Sequence, residues 1–237
     1  MDVAVTAASS AYIVEDQQRM SRARNYFAWQ ARMILPELGR RVLEIGCGIG
    51  NFTELLADRE AVIAVDSEPS CIELLKSRCP NAKAFALDAA SESLLDLARF
   101  RPDSCVLLNV LEHIDEDTGT ICRIASILPP RGRIVLLAPA FPSLYGPIDR
   151  NLGHHRRYSR ARIRELAGAA GVEIRKLRYV NAIGFFGWWT NAHLLRRTAQ
   201  SESQIQFFDR LVPIISRLES MAPPPFGQSL LAVFEKP

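Results

Sequence analysis

The sequence predicts an α/β fold: a doubly wound, mostly parallel sheet with helices on both faces. Three observations predict it. Short apolar runs recur at 42–45, 61–65, 82–87, 104–108 and 134–138. Helical patterns separate them, and this alternation makes strands parallel and covers both faces of the sheet. The first run leads straight into three glycines at every second position, Gly46, Gly48 and Gly50. Such a turn lets a backbone approach a bound nucleotide closely.

The elements follow in order. A helical pattern over 13–35 carries Met20, Phe27, Ala28 and Ile34 on one face. Tyr26 and Trp29 read as core side chains on it, or as a lid over a ligand. In the first strand Glu44 stands two residues before Gly46. A carboxylate there faces the crevice where open α/β sheets bind ligands, and it suits a hydroxyl or ammonium group. Residues 52–56 read as the helix after the turn. The second strand ends in Asp66, twenty residues after Gly46, the place of an acid that hydrogen-bonds a ribose diol. A helix over 69–78 and a third strand ending in Asp88 follow. Asp88 is either a partner for an adenine amino group or a helix N-terminal acid.

The fourth strand ends in Asn109-Val110-Leu111-Glu112-His113. Polar groups there line the same crevice. His113 is a candidate general base, or a hydrogen-bonded structural histidine. A helix over 115–128 and a fifth strand complete the pattern, so the site is expected at the carboxyl ends of strands one, two and four.

The stretch 139–147 is too proline-rich for a regular element and leads into a polar segment, so 141–158 reads as one loop. It gathers Tyr145, Asp149, His154, His155, Arg157 and Tyr158 on the functional side of the sheet. Its arginines could clamp a carboxylate or phosphate, and His154 could take a proton. Alternatively the groups pair with each other, Asp149 with Arg157. Ser159 caps a helix over 160–170. A sixth strand spans 172–179 and a last one 229–235. Between them lie two helices, from 183 and over 203–218, the second bent near Pro213. Their aromatic face reads as a core or dimer contact, with an apolar substrate pocket or a membrane surface as alternatives.

Composition sets the outer limits. The 237 residues, 48% hydrophobic and 23% charged, fit one soluble domain over 1–237. A net charge of +3 is too small to imply a nucleic-acid partner. Five cysteines with no C-x-x-C pair fit reduced thiols in the cytoplasm rather than a disulfide framework or a zinc site. The start has no basic region of a secretory signal. The uncharged stretch Val180 to Leu195 contains two asparagines and a histidine and is short for a membrane span; a peripheral membrane contact stays open.

A dinucleotide site shares the strand, the turn and the later acid. Its pattern, G-x-G-x-x-G, would need glycine where Asn51 stands, so a nicotinamide-dependent oxidoreductase is the weaker alternative. A non-catalytic binding or scaffold protein keeping the same fold is the other.

Taken together, Val42 to Gly50, Asp66, Asp88 and Asn109 to His113 resemble the class I S-adenosylmethionine-dependent methyltransferases over residues 40–140. The loop with Gly153-His154-His155-Arg156-Arg157-Tyr158 is similar to a bacterial methyltransferase-domain subgroup. The resemblance implies a Rossmann-like seven-stranded sheet whose last two strands form an antiparallel hairpin, with an N-terminal helix over 13–35 and a helical insertion over 182–222. It implies S-adenosyl-L-methionine as cofactor: Gly46, Gly48 and Gly50 at its methionine part, Asp66 at the ribose, Asp88 near the adenine and Asn109 near the sulfonium. Glu44, Cys47, Ala89 and Val110 join the expected cofactor contacts. No arginine or lysine is expected to crowd the glycine turn, which suits a sulfonium. The acceptor would be a small molecule, a sugar, a lipid-linked compound or a secondary metabolite, attacking through O, N or C. His154 is the first choice of base and His113 the second. Tyr145, Asp149, Arg157, Tyr158 and Trp29 are the expected substrate contacts. No metal-ligand cluster is legible, so metal independence is expected, and a homodimer stays open.

Overall fold

The computed structural model describes residues 14–15, 17–195 and 202–237. Seven strands form one sheet: β1 (Arg41–Ile45), β2 (Ala61–Asp66), β3 (Lys83–Ala86), β4 (Ser104–Leu108), β5 (Arg133–Pro139), β6 (Glu173–Val180) and β7 (Ser229–Glu235). Their order is β3-β2-β1-β4-β5-β7-β6. β7 slots between β5 and β6 and runs antiparallel to both; the β1, β2, β3, β4 and β5 pairings are parallel. Val42, Leu43, Val106, Leu107, Val135 and Leu136 are all buried, because helices cover both faces of this sheet and leave its central strands no wet side. The order reverses at β1, between β2 and β4, and the crevice lies there at the strands' carboxyl ends.

The helix predicted over 13–35 is not continuous. Its start at Ile13 lies outside the described residues. The chain turns at 21–23, where the Ala23 amide donates to the Met20 carbonyl at 2.8 Å, and α1 begins only at Arg24, running Arg24–Ile34. Ala23 cannot cap it, and a residue far along the chain does so instead: Asp209 accepts from the Tyr26 amide at 2.9 Å and from Asn25 Nδ2 at 3.0 Å. The single turn after the glycines is a 3₁₀ helix, Thr53–Leu56. Helices α2 (Pro69–Arg78) and α3 (Asp117–Ile127) fall where the periodicity puts them. A 3₁₀ stretch at Glu92–Phe100, capped by Ser91, was not predicted.

The segment 141–158 is more regular than its prolines suggest. Pro142 opens a 3₁₀ turn, Pro142–Leu144, and Pro147 opens α4, Pro147–Asn151. Proline stands at the first helical position in both, where its missing N–H has no partner to lose. Next come α5 (Arg160–Ala169), α6 (Ala182–Trp189), which continues as a π turn over Thr190–Leu194, and α7 (Glu202–Met221). Glu219 of α7 accepts from the amides of Asn181 and Ala182 at 3.0 and 2.8 Å and so caps α6. Trp29 of α1 packs with Val212 and Ile215 of α7. These ties clamp the insertion onto the rim of the crevice. Its outer side leaves Phe186, Trp189, Phe207, Ile214 and Leu218 exposed. Among the described residues, no helix is long and apolar enough to cross a membrane.

Candidate active site

A cleft of about 660 Å³ opens over the carboxyl ends of β1, β2 and β4. Its floor is the glycine turn. Gly46, Gly48 and Gly50 all have positive φ, at 71°, 52° and 93°, which explains why glycine stands at each. The amides of Gly46 and Cys47 both donate to the Val65 carbonyl at the end of β2. The Gly48 amide donates to Asp66 Oδ2 at 2.8 Å, while Asp66 Oδ1 accepts from the Glu68 amide at 2.9 Å. One carboxylate therefore shapes the turn and faces the cleft at once. Gly50 faces away, toward Cys79 and Leu75.

The cleft's inner wall is acidic. Glu44, Asp66, Glu68, Asp88 and Glu112 line it, against Arg19 and Arg157. Glu44 is buried, and Thr53 Oγ1 donates to its carboxylate at 2.7 Å. Burial pushes Glu44 up to about 8, Thr53 opposing it. Burial also raises Asp66, against the amides that donate to it. A cationic ligand would relieve both costs. Asp88 accepts from the Ala90 amide at 2.8 Å in a tight local turn, and with Ala89 it borders the cleft. Asn109 holds the left-handed conformation at φ 53°, a strain that its neighbours sustain at the cleft's centre. Val110 stands against Gly46. An arginine does reach the glycine turn: Arg78 Nη1 donates to the Ile49 carbonyl and to Asn51 Oδ1, each at 3.0 Å. It approaches from outside, paired with Glu54, and is absent from the cleft lining.

A family model described as "Methyltransferase domain" matches residues 13–177. The chain belongs to that family. The chain is 33% identical over 110 residues to a ubiquinone biosynthesis O-methyltransferase of Xanthomonas campestris, covering 45% of each chain. It is 32% identical over 112 residues to a trans-aconitate 2-methyltransferase of Variovorax paradoxus, covering 46% of this chain and 42% of that one. It thus aligns with less than half the length of these relatives. Among solved structures, a SAM-dependent methyltransferase from Archaeoglobus fulgidus superposes with a TM-score of 0.62 at 21% identity, covering 90% of this chain and 94% of that one. The N-methyltransferase NodS from Bradyrhizobium japonicum, in complex with S-adenosyl-L-homocysteine, gives 0.55 at 17%, covering 92% and 88%. These structural likenesses extend the fold over nearly the whole chain.

Beyond the acids, the cleft reaches two histidines. The loop after β5 is stitched to the turn after β4: the His155 amide donates to the Glu112 carbonyl at 2.8 Å, and Tyr158 Oη donates to the Leu111 carbonyl at 2.9 Å. This brings His113 and His154 edge to face, ring centroids 4.6 Å apart. His154 Nδ1 lies 3.0 Å from Asp149 Oδ1. Asp149 is fully buried and also binds Arg157 Nε at 2.7 Å and the Gly146 amide at 2.9 Å. Burial alone would raise Asp149, but the His154 hydrogen bond and the Arg157 charge outweigh it and hold it below the usual carboxylate range. His113 is held below the ordinary histidine range, by desolvation first and the two neighbouring histidines second, a shift that its open side tempers.

Of the five expected substrate contacts, Arg157 alone lines the cleft. Tyr145 Oη donates to the His154 carbonyl at 2.7 Å. Tyr158 is fully buried and Trp29 is packed against α7, so both support the walls from behind. Asp149 does the same for His154. The residue that sequence reasoning passed over is Glu112, quoted only within its motif. It is fully buried beside the two histidines, and neither carboxylate oxygen has a hydrogen-bond partner. Tyr26, Gln30, Gln204, Ile205 and Phe208 add an outer wall from α1 and α7 that no motif marks.

Proposed function

We propose that this chain is an S-adenosyl-L-methionine-dependent methyltransferase acting on a nucleophilic atom of a small molecule. The observation that carries the reading is the acid-lined cleft over the glycine turn, with Glu44, Asp66 and Asp88 at the ends of three adjacent strands or just beyond them. The fit is chemical. The cofactor offers an ammonium, a ribose diol, an adenine amino group and a sulfonium, and this wall offers acceptors and negative charge. When bound, the cofactor supplies an electrophilic methyl group.

The chain's own residues supply the rest. Asp66 would hold the diol, and Asp88 with Ala89 the adenine end. Gly46 and Cys47 would hold the methionine part, and Asn109 would face the sulfonium end. The α1 and α7 side chains Phe27, Ile205 and Phe208 exclude water from the outer wall. Much of the catalysis is then positioning. A proton leaving the acceptor has a receiver in His154. Asp149 takes the Nδ1 side of that ring, which leaves Nε2 as the basic nitrogen. His113, held low, is the weaker base. An oxygen nucleophile is favoured by the two relatives, both named for O-methylation or for a carboxylic acid. The apolar side chains of the cleft's outer wall, Phe27, Ile205 and Phe208, favour an acceptor with an apolar or lipid-linked part.

Calorimetry with S-adenosylmethionine and S-adenosylhomocysteine tests the reading. Saturable binding that Asp66→Asn weakens supports it; no binding at millimolar cofactor refutes it.

A further inference from the structure

We infer that Glu112, His113 and His154 form a site for a divalent transition-metal ion at the inner end of the cleft. One ligand atom from each residue can be chosen so that all lie within 4.8 Å of one another. Two imidazoles and one carboxylate are a donor set for such ions, leaving other positions open. Such a site departs from the metal independence that the sequence leads one to expect.

Three further features point to a ligand. First, Glu112 is fully buried with both carboxylate oxygens unpartnered. A buried carboxylate without hydrogen bonds is costly and rare, and a cation would satisfy it. Second, His154 carries the partner that metal-bound histidines carry. Its Nδ1 is on Asp149, itself anchored by Arg157 and the Gly146 amide, so Nε2 keeps its lone pair and a fixed direction. Third, the His113 ring meets the His154 ring edge to face, centroids 4.6 Å apart, and lines the cleft beside it. One side of His113 is open to the cleft, giving the ion a way in. The loop after β5 and the turn after β4 are hydrogen-bonded together at this point, so the three donors are held before any ion arrives.

The ion's catalytic use, though not its binding, rests on the methyl-transfer reading. In the cleft that Asn109 also lines, the ion would supply Lewis-acid chemistry able to orient an oxygen-bearing acceptor. An ion on His154 Nε2 occupies the lone pair that otherwise takes a proton, so the two roles exclude each other at any moment.

Co²⁺ is the probe, because its visible absorption reports both uptake and ligand type. The full chain, stripped with chelator, is titrated with CoCl₂. The expected result is saturation at about one ion per chain with weak d–d bands of nitrogen and oxygen ligation. Glu112→Gln and His154→Asn should each weaken uptake by at least about tenfold. S-adenosylhomocysteine affinity, measured on the same samples, should survive in both variants and shows that they are folded. No saturable band up to millimolar Co²⁺ overturns the site. So does equal uptake by folded variants, or a thiolate charge-transfer band placing the ion on a cysteine. Should a variant lose its fold, the wild-type titration alone decides through its bands and stoichiometry. Loss of S-adenosylhomocysteine binding by the wild type would instead strike the methyl-transfer reading and leave the metal result standing.

Discussion

Replacing Arg157 by leucine should destabilise the folded chain while leaving the acids of the cofactor wall in place. The guanidinium is buried with Asp149. It donates from Nε to Asp149 Oδ1 at 2.7 Å and from Nη1 to the Ala140 carbonyl at 3.1 Å, and it lies 4.5 Å over the Trp188 ring. Removing one member of a buried ion pair leaves an uncompensated charge, a cost of about 3–5 kcal/mol. Losing the contact with Trp188 adds roughly 0.5–2 kcal/mol, and the leucine's own burial returns a similar amount. The net is about 3–5 kcal/mol. At this chain length each kcal/mol moves Tm by about 2–4 °C, so Tm should fall by about 6–20 °C. Urea unfolding followed by circular dichroism measures it. Asp149→Asn in the Arg157→Leu background removes the stranded charge, so the double variant should cost clearly less than the sum of the single ones. A loss below about 1 kcal/mol for Arg157→Leu, or strict additivity in the cycle, would refute the buried pair as the anchor of His154.

Two further outcomes follow from the cleft floor. Glu44 keeps its proton in the folded chain up to about 8, against an ordinary 4.5. Between those values the folded state holds a proton that the unfolded state has shed, so ligand-free stability falls as pH rises through that window, by on the order of a few kcal/mol. Glu112, also raised to about 8 by burial, contributes in the same direction. Glu44→Gln should therefore flatten part of the decline in Tm between pH 5 and 9, and an unchanged slope would count against the assignment. At the turn, a Cβ on Gly46 would meet Val110 Cγ2 at 2.2 Å with φ at 71°, whereas one on Gly48 meets the amide end of Gln17 at 2.8 Å. Gly46→Ala should cost about 2–5 kcal/mol, from left-handed strain plus overpacking against a stiff side chain. Gly48→Ala should cost roughly 1–2 kcal/mol, because Gln17 can move. Thermal melts and S-adenosylhomocysteine titrations of both rank them, and equal losses would mean that Val110 yields.

The sequence by itself determined the sheet and its cofactor side. Unbroken apolar runs place the central strands, because both their faces are buried, and the 3.6-residue period places the helices, because each buries one face. Gly46, Gly48 and Gly50 announce positive φ because other residues resist it. Glu44, Asp66, Asp88 and Asn109 each follow or end a strand of local pattern, so their place at one rim comes from topology alone. What failed was local too: proline at 142 and 147 starts helices as readily as it breaks them, and the end of a helix at Ala23 is decided by Asp209, far along the chain. Only the tertiary structure decided how the remaining polar groups divide. Asp149, Arg157 and Tyr158 look alike to a reader of the loop, yet two are sealed behind the wall and one borders the cleft. Trp29 and Tyr26 sit three residues apart on one face of α1 and both pack toward α7, yet Tyr26 also borders the cleft. Glu112 carried no signal, since a glutamate beside a histidine is ordinary until the loop after β5 folds back. That fold sets His154 beside it, buries the carboxylate without a partner, and gathers the three side chains proposed as an ion's ligands. Burial and long-range contact are properties of the assembled chain, and no local pattern encodes them.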